Sequence, residues 1–142
     1  MNDKRASIGK IIVVDYWAFL SVSMAVVGIG FIVYNMFISA KSIAGLELPM
    51  LGLVILGAAG LVWRVRSVSS IINNGQEVKA TVSEISFYRG RGYIKYTYPR
   101  DGQTLMGSTA VMKTGATSRF LVGQEITIAV NQGKSLIKDL FV

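Results

Sequence analysis

The sequence predicts an α-helical membrane hairpin followed by a small all-β barrel of about five strands, OB-like or SH3-like. Three observations predict it. Trp17 to Ser39 is a run of 23 residues without a charge. Leu48 to Trp63 is a second apolar run, of 16 residues. From Gln76 onward the texture changes to short alternating segments separated by glycine turns. Composition agrees: hydrophobic residues make up 51% of the 142 and charged residues 16%, against about one quarter charged in soluble domains.

The first run, WAFLSVSMAVVGIGFIVYNMFIS, extends about 34 Å as a helix, enough to cross a bilayer core. The span is placed at 16–39. A soluble helix of this length would carry a polar face, and neither run does. Lys4, Arg5 and Lys10 precede it as they would in a signal peptide. The run is about twice as long as a leader's apolar region, so an uncleaved anchor is expected. Within the N-terminal segment 1–15, Ile8 to Val14 reads as an interfacial helix or an extra strand, and Asp15 as the N-cap of the span.

The second span is placed at 47–64, joined by a short external loop at 40–46. Glu47 suits the positive end of a helix, and Pro49 suits its first turn. Arg64 snorkels at the far end. Lys4, Arg5 and Lys10 lie before the hairpin and Arg64, Arg66 and Lys79 after it, with only Lys41 between. Both termini are therefore expected on the cytoplasmic side, where Tyr16, Trp17 and Trp63 share one interface. Ser21, Ala25 and Gly28 form a small-residue stripe, and Gly52, Gly57, Ala59 and Gly60 thin the second helix. Such residues let the two helices pack together, or offer a face to a partner's helix. No ionisable residue lies mid-span, which argues against a proton path, ion channel or transporter site.

Residues 65–75 read as a juxtamembrane helix and linker. Val65, Val68, Ile71 and Ile72 recur at helical spacing, and Gly75 is expected to stop the helix in the left-handed conformation. Arg64 and Arg66 are expected to meet anionic headgroups, at about 1 kcal/mol each.

The barrel domain is placed at 76–142. Val78, Ala80 and Val82 alternate, and Ile85 and Phe87 continue out of phase, which predicts a bulge near Ser83-Glu84. A glycine-rich turn at Arg89 to Gly92 leads to a strand at Tyr93 to Tyr98. Pro99-Arg-Asp-Gly102 is a turn signal. A third strand runs from Gln103 to Val111, interrupted by Gly107. Met112 to Gln124 is a connection with one helical turn around Ala116 to Phe120. Ile126 to Val130 is the fourth strand, Asn131 to Lys134 a turn, and Leu136 to Phe141 the last strand. The expected core is Val78, Ala80, Val82, Ile94, Tyr96, Leu105, Ile126, Ile128, Val130 and Leu136.

This arrangement resembles bacterial membrane proteins of the family called domain of unknown function 3592, short membrane hairpins joined to a small β domain. The likeness is carried by Gly75-x-x-Val78-x-Ala80-x-Val82, by Ile94-x-Tyr96-x-Tyr98 before Gly102, and by Gly123-x-x-Ile126-x-Ile128-x-Val130. Where that family often carries Tyr-x-Pro after the fourth strand, this chain reads Val130-Asn131-Gln132. A remoter likeness is to the NfeD group, which also joins membrane helices to an OB-like barrel. Neither resemblance implies an enzyme, and both imply a module that works by contact with other membrane proteins, expected here at the bacterial inner membrane.

The residues themselves offer little chemistry. There is no His and no Cys, which removes Cys/His zinc sites, thiol nucleophiles and disulfides. The eight carboxylates show no metal or acid–base spacing. Ser67, Ser69 and Ser70 have no base beside them. Gly90 and Gly92 join two strands, which is the wrong context for a phosphate loop. No enzyme activity, cofactor or small-molecule substrate is expected.

Two functions remain. The first is an accessory or scaffold subunit of a larger membrane complex, with lipids and other membrane subunits, or a second copy, as partners. Its contact surfaces are the Arg89 to Gly92 tip, the Met112 to Gln124 connection and the Ser21, Ala25, Gly28 stripe. The alternative rests on nine Lys/Arg against five Asp/Glu in residues 76–142. Arg89, Arg91, Tyr93, Lys95 and Arg100 would bind anionic lipid headgroups or single-stranded nucleic acid, while Arg64 and Arg66 read as positive-inside anchors. Nucleic acid is the weaker of these, because a tether to the bilayer keeps the domain away from it.

Overall fold

A computed structural model describes residues 5–37, 45–100 and 102–142. Two long apolar helices are followed by a five-stranded antiparallel, nearly closed barrel. The expected loop at 40–46, with Lys41, lies outside the described residues except for Gly45 and Leu46, as do Lys4 and Asp101.

Helix α1 covers Ile8–Val14 and α2 covers Tyr16–Phe37. The open choice for residues 8–14 resolves as helix. Its β-branched residues favour strand, but Ile11 and Val14, one turn apart, bury against the barrel, and packing outweighs propensity. Asp15 separates the two helices in extended conformation (φ −81°) and forms an isolated bridge with Val111. Its Oδ1 accepts from the Ala18 N–H at 2.9 Å, the N-cap geometry expected of it.

Helix α3 runs unbroken over Glu47–Asn74, 28 residues, about 42 Å. The second span and the juxtamembrane helix are thus one element. Its final turns bury Val68, Ile71 and Ile72 under the barrel. Gly75 is not left-handed: its φ is −77°. Close approach requires the glycine instead, since a Cβ would strike the Ile71 carbonyl and meet Ala129 Cβ at 3.2 Å.

The two long helices pack directly on each other. A Cβ on Gly57 would lie 2.6 Å from the Ser21 carbonyl oxygen and 2.8 Å from the Ala25 nitrogen; one on Gly28 would lie 2.7 Å from Val54 Cγ2. A Cβ on Gly60 would be 2.9 Å from Ser21 Oγ. At the far end, buried Asn35 donates to Glu47 Oε1 at 3.3 Å. Gly52 faces open space and takes no part.

The strands are β1 (Gln76–Tyr88), β2 (Arg91–Arg100), β3 (Gln103–Met112), β4 (Glu125–Asn131) and β5 (Lys134–Ile137), in sheet order β3-β2-β1-β4-β5. Strand β1 pairs β4 through its first half and β2 through its second. The register shifts between Val82 and Glu84, so the bulge sits at Ser83 and turns β1 around the barrel. All ladders are antiparallel, so β3 and β5 run parallel where they face each other. That partly open, five-stranded order is the OB arrangement rather than the SH3 one.

Tyr96 seals the open seam. It pairs Gly107 on β3, and a Cβ there would strike its ring. The bare glycine lets the ring cross, so that Tyr96 Oη donates to Ser135 Oγ on β5 at 3.0 Å and lies 3.3 Å from Thr109 Oγ1. Strand β3 is therefore continuous through Gly107.

Two expected boundaries shift. Pro99 and Arg100 belong to β2, pairing Thr104 and Gln103. Pro99 is tolerated because β2 pairs β1 only as far as Thr97, leaving no donor demanded on that side. The last strand ends at Ile137, and Lys138–Leu140 forms a 3-10 turn that tucks Leu140 and Phe141 into the core. The expected core residues are buried, with Val78 and Leu105 only partly so. Tyr98, Val111, Ala129 and Ile137 join them, as do Ile11, Val14 and Ala18 from the helices.

Gly57→Leu is expected to cost about 1–3 kcal/mol by forcing α2 and α3 apart, whereas Gly52→Ala is expected to be neutral. Thermal unfolding in mild detergent separates the two. Burial holds the Tyr96 hydroxyl above its ordinary pKa of 10.0. The folded chain keeps the neutral form, so this stability is complete below pH 10 and is lost as the pH rises beyond it. Tyr96→Phe is expected to cost about 1 kcal/mol at pH 7 and to flatten the loss of stability between pH 9 and 11, read by unfolding at each pH.

Candidate functional site

Where the barrel meets the hairpin, strand chemistry brings basic and aromatic groups together. Arg89 and Gly90 both have positive φ, 49° and 81°, so the β1–β2 connection is a tight two-residue turn. It aims Arg91 back toward the start of α2. There the Arg91 Nη1 donates to Tyr16 Oη at 2.8 Å, and the guanidinium carbon stands 5.5 Å from the Tyr16 ring centre. Trp17 packs edge-on against Tyr16, centroids 5.3 Å apart. Between them lies a groove of about 340 Å³ lined by Tyr16, Trp17, Tyr88, Arg91, Tyr93 and Ala110 among others.

The expected basic cluster is only partly assembled. Arg89 lies over the Tyr88 ring at 5.2 Å, at the tip. Lys95 is bound by Glu84, Nζ to Oε2 at 2.8 Å, and Tyr93 Oη donates to Glu84 Oε1 at 2.7 Å. The hydrogen bonds from Lys95 and then Tyr93 lower the Glu84 pKa, and Glu84 raises that of Lys95. A carboxylate thus sits in the middle of the surface proposed for phosphate. Arg100 stands at the opposite end of β2, about 30 Å away along the strand, and does not join the cluster. Tyr96 and Tyr98 point into the core and offer no stacking face, which leaves exposed Tyr88 and half-buried Tyr93 as the tyrosines beside the basic residues.

Ser21, Ala25 and Gly28 are used inside the hairpin, against Gly57, Gly60 and Val54. Arg66 stays exposed. Arg64 does not reach outward: it grips Asp15 through two bonds, Nε to Oδ1 at 2.9 Å and Nη2 to Oδ2 at 2.6 Å. Asp15 is fully buried and the Arg64 side chain is 17% exposed. Sequence reasoning missed this pair. Its signal was present, because Asp15 precedes the first apolar run and Arg64 follows the second, and an antiparallel hairpin brings those two positions to one end.

A second groove, also about 340 Å³, follows the β3–β5 seam past Arg64, Met106, Gly107, Lys134 and Ser135. The connection between β3 and β4 carries a 3-10 turn at Thr117–Arg119, where expected. Buried Thr117 ties it down by donating to the Met112 carbonyl at 2.8 Å and accepting from the Thr114 N–H at 2.8 Å. Leu121 and Val122 then stand 70% and 65% exposed. Among the described residues no three metal-ligating side chains come together.

Asp15→Ala leaves the largely buried Arg64 guanidinium without its carboxylate and is expected to cost about 3 kcal/mol. Asp15→Asn with Arg64→Gln is expected to recover part of that loss, because the amide still caps α2. Denaturant titration of all the variants gives the coupling. Comparison with known families, curated proteins and solved structures finds no match to the chain.

Proposed function

We propose that the chain is a non-enzymatic, membrane-anchored interaction module, an accessory or scaffold subunit of a larger complex at the bacterial inner membrane. The α2–α3 hairpin spans the bilayer and the barrel lies on the cytoplasmic side with both termini. One observation carries the reading: outside their small-residue seam, both helices expose apolar side chains, with Val27 63% and Leu56 64% accessible. An apolar surface of this extent is not left to water, and helices of 22 and 28 residues suit lipid. The orientation follows the excess of Lys and Arg at the barrel end.

The free surfaces of the barrel then become its means of contact. The exposed Arg89-Gly90 turn and the exposed Leu121-Val122 segment of the β3–β4 connection are the surfaces offered to partner subunits. The Ser21, Ala25, Gly28 stripe is excluded from that role, being occupied within the hairpin.

The chain has no cysteine, so Ser118→Cys, in an exposed position, provides a single reporter. It is expected to resist an impermeant thiol reagent in intact cells and to react after permeabilisation. Labelling before permeabilisation reverses the orientation, and recovery of the chain in the aqueous fraction after carbonate washing removes the membrane reading. Partners that co-purify in mild detergent are expected to survive high salt.

A further inference from the structure

We infer that the groove between the β1–β2 turn and the start of α2 binds one anionic phospholipid, its phosphate on Arg91 and an acyl chain along Trp17. The inference rests on the proposed seating of the hairpin in a bilayer and names a ligand for it. Arg91 meets the Tyr16 hydroxyl and ring, and among the described residues no carboxylate pairs with it. A guanidinium has five N–H donors, so most of its capacity remains for a ligand. The nearest acid on the same hairpin, Glu84, is held by Lys95 and Tyr93 and does not neutralise it.

The rest of the groove is aromatic and apolar, and it opens onto α2. Trp17, at 53% exposure, shares a helix face with Leu20 at 36% and Val27 at 63%. A ligand that matches one cation at one end and a continuous apolar stripe at the other is anionic and amphipathic. A soluble phosphate would use only the cation. A nucleic-acid strand would need a row of cations and stacking faces, and Arg100, Tyr96 and Tyr98 do not supply them. The aromatic pair Tyr16–Trp17 sits where the apolar run begins, the depth at which phosphates lie when such a helix enters a bilayer.

The two tryptophans allow a direct test. In a Trp63→Phe background Trp17 is the single fluorophore. The full chain is reconstituted in phosphatidylcholine vesicles that carry, at equal mole fraction, brominated phosphatidylglycerol or brominated phosphatidylcholine. Quenching of Trp17 is expected to report about fivefold stronger relative association of the anionic lipid, the effect of one interfacial cation. Arg91→Gln is expected to bring that ratio to about one, Arg91→Lys to retain part of it, and Arg89→Gln to leave it unchanged. Equal quenching by the two lipids in the parent overturns the site. So does an equal loss in Arg89→Gln, which would mean diffuse surface charge. So does displacement of the lipid by inorganic phosphate, which would mean a free-anion site. Quenching by neither lipid overturns the bilayer seating itself, since Trp17 then lies outside the membrane.

Discussion

Taking a carboxylate out of water costs several kcal/mol, and the chain meets that cost at Asp15 by gathering its elements around one side chain. The carboxylate caps α2 through the Ala18 N–H and binds the Arg64 guanidinium of α3 through both oxygens. Its backbone closes α1 by donating to the Ile11 carbonyl and bridges to Val111 of β3. The position of the barrel over the hairpin follows from this knot. With Asp15 buried and both oxygens bound, α2 and α3 cannot slide past each other without stranding a charge.

Around the knot, residues 6–10 and 141–142 complete the floor of the barrel. The Ser7 N–H donates to the Phe141 carbonyl at 2.8 Å, and the Ala6 N–H to Asn73 Oδ1 at 3.1 Å. Lys10 reaches the backbone oxygen of Val142. A 67-residue β domain is marginal by itself, and here its core is extended by Ile11, Val14, Val68, Ile71 and Ile72 from the helices. The barrel and the hairpin therefore share one core.

Periodicity made much of this legible. The two charge-free runs gave the hairpin, and strict alternation with a phase slip at Ser83 gave β1 and its bulge. The small residues at 21, 25, 28, 57 and 60 marked a close helix pair, although the residues alone did not decide between an internal seam and a partner. What stayed hidden depends on contacts far apart in sequence. Tyr98 and Val111 read as ordinary strand residues until the barrel closes. Leu140 and Phe141 read as strand because nothing local marks a 3-10 turn. Gly107 looked like an interruption because its purpose, passage for the Tyr96 ring to Ser135, involves a residue 39 positions from Tyr96. The Arg91–Tyr16 contact spans 75 positions and has no local signature. Composition had grouped Arg100 with Arg91, but the length of β2 separates them.

The unbroken course of α3 has a mechanical corollary. Glu47 to Asn74 forms a single rod with no proline or glycine between Leu61 and Asn74, so no swivel lies between the apolar section and the barrel floor. Each residue of an α-helix advances the azimuth by about 100°. Inserting or deleting one residue in that stretch would turn the basic tip through more than a quarter of a circle relative to the hairpin. By the same coupling, a partner that twists the hairpin would steer the barrel surface with it, as a shaft turns a key.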